Sequence, residues 1–247
     1  MPEGEGKLIT LEEAVRRYVT DGCSVAFGGI AGREPMAVSY EIVRQRKRDL
    51  TFVTATTCDS AEILIAGGCV RRVECAYIWV GVIGIGNNYR RAVEKGIPNP
   101  LEVQESSNFA MSMRFMAGAL GLPFMPVKSL LGSDVIAHNP DIKVLDDPYG
   151  SGPVALVPAS RPDVAFIHVQ RADALGNAQI WGMLGNDDNL ARAAKTVVLT
   201  CEEIIPTGEI RKIPNLTAIP SYCVSAVVEA PFCSHPLPVA GYYWMDI

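Results

Sequence analysis

The chain has 247 residues, 49% of them hydrophobic and 20% charged, with a formal net charge of −5, which is enough apolar sequence for one large α/β core or two small ones. The acidic balance argues against a nucleic-acid partner, and the longest uncharged run, CAYIWVGVIGIGNNY at 75–89, is too short and too rich in Gly and Asn to span a bilayer. The opening MPEGEGKLIT lacks the apolar stretch of a secretory signal, so a cytoplasmic protein that leaves membranes alone is expected.

In chain order, Thr10 and Glu13 form a T-x-x-E capping box, and Leu11, Val15 and Tyr18 make the apolar face of a helix that Gly22 ends. A strand near 25–28 follows, then a helix opened by Pro35 with Met36, Tyr40 and Val43 as its predicted inner face. LTFVTAT at 50–56 reads as a strand, SAEILIAGG as a helix closed by glycine, and VECAYIWVGV as one further strand. A helix near 89–95 and a short strand in PLEVQES precede a helix on which Phe109, Met113, Met116 and Leu120 repeat at helical spacing and are assigned to the core. DDPYGSGP at 146–153 is the strongest loop cluster. Beyond it, DVAFIHVQ, KTVVLTCE and AVVEAP read as strands and LGNAQIWG as a turn into another. Strand and helix alternate and the strands are nearly continuously apolar. The expected fold is therefore α/β, an open and mostly parallel sheet with helices on both faces.

Ligands in such sheets gather beyond the carboxyl ends of the strands. There the chain offers Gly28, Gly29 and Arg33; Thr57, Cys58, Asp59 and Ser60; Gly84, Gly86 and Asn87; Glu105 and Ser106; and Gly132, Ser133 and Asp134. The glycines at 28, 29 and 32 read G-G-x-x-G, which is not the G-x-G-x-x-G of dinucleotide folds. Backbone donors at Gly28, Gly29 and Ser133 suit an anion. Arg33 is either a carboxylate clamp or a surface arginine pairing with Glu34 or a helix end. Glu105, at the end of a short strand, is either a general base or a solvated carboxylate in a helix first turn. Cys58 is a candidate nucleophile with no basic partner nearby in sequence. His168, inside AFIHVQ, reads as a satisfied core histidine, and Cys233 with His235 as a weak candidate dyad. Seven cysteines without a C-x-x-C pair and three histidines suit buried reduced thiols and no metal site.

Several longer stretches carry a resemblance. DVAFIHVQRADALGNAQIWG, AAKTVVLTCEEII and GEIRKIPNLTAIPSYCVSAVVEAPFCSHPLPVAGYY, together with the GGIAGREP turn and AGALGLPFMPV at 117–127, closely resemble the A subunits of the glutaconate CoA-transferase family of class I coenzyme A-transferases. The resemblance covers about residues 8–243. It implies an enzyme active only with a B subunit, as a heterodimer or larger A/B assembly, that moves CoA between an acyl-CoA and a (di)carboxylic acid. The nucleophile implied is a glutamate of that partner, which becomes a glutamyl-CoA thioester. Coenzyme A is then a substrate, with no tightly bound cofactor expected. Gly28, Gly29, Arg33, Cys58, Ser60, Gly132 and Ser133 are the residues expected to line the substrate. The resemblance also implies an alternative, a CoA-ester hydrolase or decarboxylase subunit, since Glu105 falls where a ring-opening hydrolase branch carries its base. Residues 1–247 are read as a single domain, without the further C-terminal helices that the resemblance implies for relatives.

Overall fold

Thr10 takes extended backbone angles and its hydroxyl accepts the Glu13 N–H at 3.1 Å, so the chain enters helix α1, Leu11–Tyr18, as the capping box requires. This computed structural model describes residues 6–30, 32–57, 59–80, 84–150 and 152–246. After α1 come β1 (Ser24–Phe27), α2 (Met36–Arg44), β2 (Leu50–Val53), β3 (Thr56–Thr57), α3 (Asp59–Ala66), β4 (Val70–Cys75), β5 (Tyr77–Val80), β6 (Gly84–Ile85), α4 (Asn87–Lys95) and β7 (Glu102–Glu105). Then follow α5 (Asn108–Ala119), β8 (Phe124–Val127), α6 (Val135–His138), β9 (Lys143–Asp146), β10 (Pro153–Pro158), β11 (Val164–Ala172) and β12 (Ala178–Gln179). The chain closes with α7 (Asp187–Ala193), β13 (Thr196–Ile204), α8 (Thr207–Lys212), β14 (Thr217–Ile219) and β15 (Ala226–Glu229).

The central sheet runs β15-β13-β11-β1-β2-β4-β7, every neighbouring pair parallel. β11 outruns β1, and β12 and β14 fill the space beside its second half as antiparallel strands. Alternation along the strands divides the core. Val25, Phe27, Phe52 and Phe166 face one layer with α1, α2, α3 and α4, whereas Ala26, Val53, Ala165 and Ile167 face another with α5 and α7. Helices thus cover both faces, as parallel strands demand. Phe27 sits edge-on to Phe52 at 5.1 Å and to Phe166 at 6.0 Å, a T-shaped arrangement that pins three adjacent strands.

Three expectations need correction. On α2, Met36 is buried as expected, but Tyr40 is 55% exposed, and Val38 and Ile42 are buried in its place. On α5, Phe109 and Leu120 are 55% and 64% exposed, and the inner face is Ala110, Met111, Phe115, Ala117 and Gly118. VECAYIWVGV is two strands in different sheets, β4 in the central one and β5 between β3 and β6. DDPYGSGP is a loop, as expected, and joins two strands of a separate antiparallel sheet, β8-β10-β9, in which Asp146 and Pro153 are register partners. Among the described residues, no helix is long and apolar enough to cross a membrane.

Candidate functional site at the strand ends

β1 delivers its last residue, Phe27, into the turn Gly28, Gly29 and Ile30. Gly28 N–H donates to Phe166 O at 2.9 Å, and Gly29 N–H donates to Asp187 Oδ1 at 2.8 Å. The backbone comes so close that a Cβ on Gly28 would stand 2.7 Å from the Asp187 carboxylate. Gly29 has φ +84°, and a Cβ there would meet Arg33 O at 2.5 Å. These glycines are therefore required by the fit of the turn against α7. Neither amide is left for an external anion, which corrects the expectation that both bind one.

Arg33 is 4% exposed and adopts φ +60°, rare for a residue with a side chain. Its guanidinium pairs with Asp187 Oδ2 at 2.8 Å and donates to His168 O at 2.8 Å and Met183 O at 2.6 Å. Burial pushes the Asp187 carboxyl above its ordinary range, and Arg33 and the Gly29 N–H pull it back. The surface reading of Arg33 is thus corrected: its guanidinium is bonded inside the protein, and the residue also lines the larger of two clefts beside the turn.

Ser60 is fully buried. Its hydroxyl lies 2.5 Å from Glu34 Oε2 and 2.7 Å from Thr57 Oγ1, and Thr57 also donates to Glu34 at 3.0 Å. Glu34 is 1% exposed. This buried carboxylate and its two hydroxyls tie the start of α2 to the start of α3, so Ser60 is corrected from a substrate contact to an internal one. Cys58 lies outside the described residues.

Glu105, Gly132 and Ser133 form a second group. Glu105 ends β7 with its side chain exposed, and its carbonyl accepts from Asn139 Nδ2 at 2.8 Å. Gly132 (φ +81°) and Ser133 lie in the exposed turn before α6, where Ser133 N–H and Oγ both donate to Leu130 O, at 3.2 and 2.7 Å. The Ser133 amide is spent internally too. β7 stands three strand positions from β1, about 14 Å away at the usual interstrand spacing. The sheet thus places Glu105 well away from the glycine turn.

Two concavities flank the glycine turn. A small one of about 20 Å³ lies over Gly28, Gly29, Thr54, Thr56 and Asn186, where Thr56 Oγ1 donates to Asn108 Oδ1. A cleft of about 540 Å³ opens on the other side, with Ile30, Gly32 and Arg33 facing Trp181, Met183 and Tyr242. Ile30 borders both. Asp187, Thr54, Thr56 and Asn186 were not anticipated. DD in GNDDN reads locally as a helix first turn, and its bond to Gly29 spans 158 positions.

His168 is a satisfied core residue, as read. Its ring lies between Thr200 Oγ1 at 3.0 Å and Glu202 Oε1 at 2.8 Å, and Tyr243 OH donates to the same carboxylate oxygen at 2.6 Å. Burial disfavours its charge, but Cys233 and Glu202 outweigh that and raise its pKa to about 9. Cys233 is buried and contacts Thr200 Oγ1 at 3.6 Å, while His235 pairs with Asp246 at 3.1 Å, so the two are no dyad. Among the described residues no group of three or more His, Cys, Asp or Glu is placed to hold a metal ion.

The coenzyme A transferase family model matches residues 8–230. The chain is 45% identical to an uncharacterized protein of Archaeoglobus fulgidus, with 97% of this chain matching 54% of that one. It is 41% identical to the A subunit of 3-oxoadipate CoA-transferase from Pseudomonas knackmussii, again over 97% of this chain and over 84% of the relative. With the A subunit of glutaconate CoA-transferase from Acidaminococcus fermentans it shares 36% identity over 97% of this chain and 80% of the relative. The crystal structure of glutaconate CoA-transferase from that organism superposes with TM-score 0.89 at 35% identity, over 97% of this chain and 80% of the other. The decarboxylase AibA/AibB superposes with TM-score 0.86 at 34% identity, over 98% and 89%. The chain spans little more than half the length of the archaeal relative. A parallel sheet with a glycine turn at its strand ends, matched nearly end to end in sequence and backbone, places this chain in the coenzyme A transferase family.

Proposed function

We propose that this chain is the A subunit of a heteromeric CoA-transferase, which moves CoA between an acyl-CoA and a carboxylic or dicarboxylic acid. The attacking glutamate, and the glutamyl-CoA thioester formed on it, belong to the B subunit. The observation that carries this reading is the 41% and 36% identity to the A subunits of two CoA-transferases. A carboxylate is a weak nucleophile toward a thioester. Holding it in line is worth up to about 7–11 kcal/mol of effective molarity, and this chain contributes by fixing the acid substrate against its strand ends. Coenzyme A enters as substrate.

The test is to purify the chain with its B subunit, add acetyl-CoA and treat with borohydride. The account expects inactivation that maps to one glutamate of the partner. Absence of a covalent adduct on either chain contradicts it.

A second reading, a CoA-ester decarboxylase or hydrolase subunit, is favoured by the likeness to the decarboxylase AibA/AibB and by the exposed carboxylate of Glu105 at a strand end. It predicts that Glu105→Gln abolishes turnover.

A further inference from the structure

One carboxylate holds the chain on either side of Ile30, at Gly29 and at Arg33. Asp187 Oδ1 accepts the Gly29 N–H before it, and Oδ2 accepts from Arg33 after it, both at 2.8 Å. Three residues of this short loop, 28–33, have positive φ angles, +84° at Gly29, +146° at Gly32 and +60° at Arg33. Such a path persists only where its surroundings enforce it. From outside, Arg33 N–H donates to Pro238 O at 3.1 Å, and a Cβ on Gly32 would stand 3.0 Å from the same oxygen.

Gly28 N–H is used by the sheet, Gly29 N–H by Asp187 and Arg33 N–H by Pro238 O, whereas the Ile30 and Gly32 N–H groups make no hydrogen bond among the described residues. Ile30 is also the residue that borders both the small strand-end cavity and the larger cleft. The arrangement has an electrostatic consequence. Asp187 lies directly beneath the turn and alone would repel an incoming carboxylate, and the Arg33 guanidinium cancels that charge at contact distance.

We propose that Asp187 is a positioning residue, whose carboxylate sets the 28–33 loop so that the Ile30 N–H is presented to the carboxylate of the acid substrate. The identity of that ligand rests on the transferase reading; the bracing of the loop does not.

Two experiments test it. With the wild-type A/B pair, acetyl-CoA as donor and glutaconate or 3-oxoadipate as acceptor, Asp187→Ala is expected to raise KM for the acid at least tenfold and to leave KM for acetyl-CoA within twofold. Asp187→Asn keeps an oxygen opposite Gly29 and is expected to raise the acid KM less. Val73→Ala, a core truncation in β4 away from the loop, lowers the melting temperature and leaves both KM values unchanged. Amide exchange resolved by NMR on the unmutated chain is expected to show Gly29 at least tenfold more protected than Ile30, which keeps the assignment testable should Asp187→Ala not fold. Equal protection of the two amides, or an Asp187→Ala enzyme that differs from Val73→Ala only in melting temperature, overturns the positioning role. A wild-type pair inactive with every acid, alongside a protected Gly29 amide, overturns the transferase reading and with it the substrate assigned to Ile30, and supports the bracing.

Discussion

Replacing Arg33 by methionine removes the cation from a pair in which both side chains are at most 5% exposed. Breaking one partner of such a pair typically costs 3–5 kcal/mol, and the structure sets its own ceiling. The stranded Asp187 carboxylate has an escape, which is to take up a proton. At pH 7, protonating a carboxyl whose ordinary pKa is 3.8 costs about 4 kcal/mol at 1.36 kcal/mol per pH unit. The sign follows from proton counts. In the variant the folded state holds a proton that the unfolded state has lost, so stability falls as pH rises and recovers as pH falls. The expected deficit against wild type is therefore about 4 kcal/mol at pH 7 and about 2 kcal/mol at pH 5, a slope near 1.4 kcal/mol per pH unit. Urea melts followed by tryptophan fluorescence at pH 5, 6, 7 and 8 measure it. A deficit that is flat across that range, or below about 1 kcal/mol at pH 7, refutes the buried ion pair and the bracing of the turn built on it.

Gly118→Ala reverses the usual rule that Gly to Ala in a helix gains about 1 kcal/mol, because the new Cβ would lie 2.2 Å from Ser160 O and 2.9 Å from Ala193 Cβ; the expected outcome, by calorimetry, is a melting temperature about 2–8 °C lower. His168 has its pKa raised from 6.5 to about 9, so its contribution is fully present below 6.5 and lost as pH rises through 9; His168→Gln is expected to flatten the pH dependence of stability between 6.5 and 9 in chemical denaturation. Glu105→Gln is expected to slow the transferase pair by less than about fivefold, whereas a general base would cost about 10²–10⁴, and steady-state kinetics separate the two readings. Thr10→Ala removes the cap of α1 and is expected to cost about 1 kcal/mol in the same urea melts, with turnover unchanged.

The parallel core was legible because its signals are local. DVAFIHVQ and KTVVLTCE are continuous apolar runs, and they became β11 and β13, paired along Val164↔Thr196 to Ala172↔Ile204. On α5 the same reasoning failed, since periodicity selects the largest apolar residues while a close helix crossing selects small ones. Gly118 and Ala117 face inward because the backbone of residue 160 leaves no room for anything larger, and Phe109 and Leu120 turn outward. The β8-β10-β9 sheet was hidden by prolines at 126, 153 and 158 and by a β9 exposed at every position, which leaves no alternation to read. In the site, the glycine turn announced itself but its purpose did not. The carboxylate that occupies the Gly29 amide comes from the start of α7, and no spacing rule links positions 29 and 187.

The proposed function requires that this chain build one wall of a reactive cleft and that the attacking carboxylate arrive on another polypeptide. Intact-mass spectrometry of each chain after acetyl-CoA, run on the separated chains and on the A/B pair, tests it most directly. The expected result is a CoA-sized adduct on the B subunit of the pair and none on this chain in either sample. A thioester adduct on this chain, or full turnover by this chain alone, contradicts it.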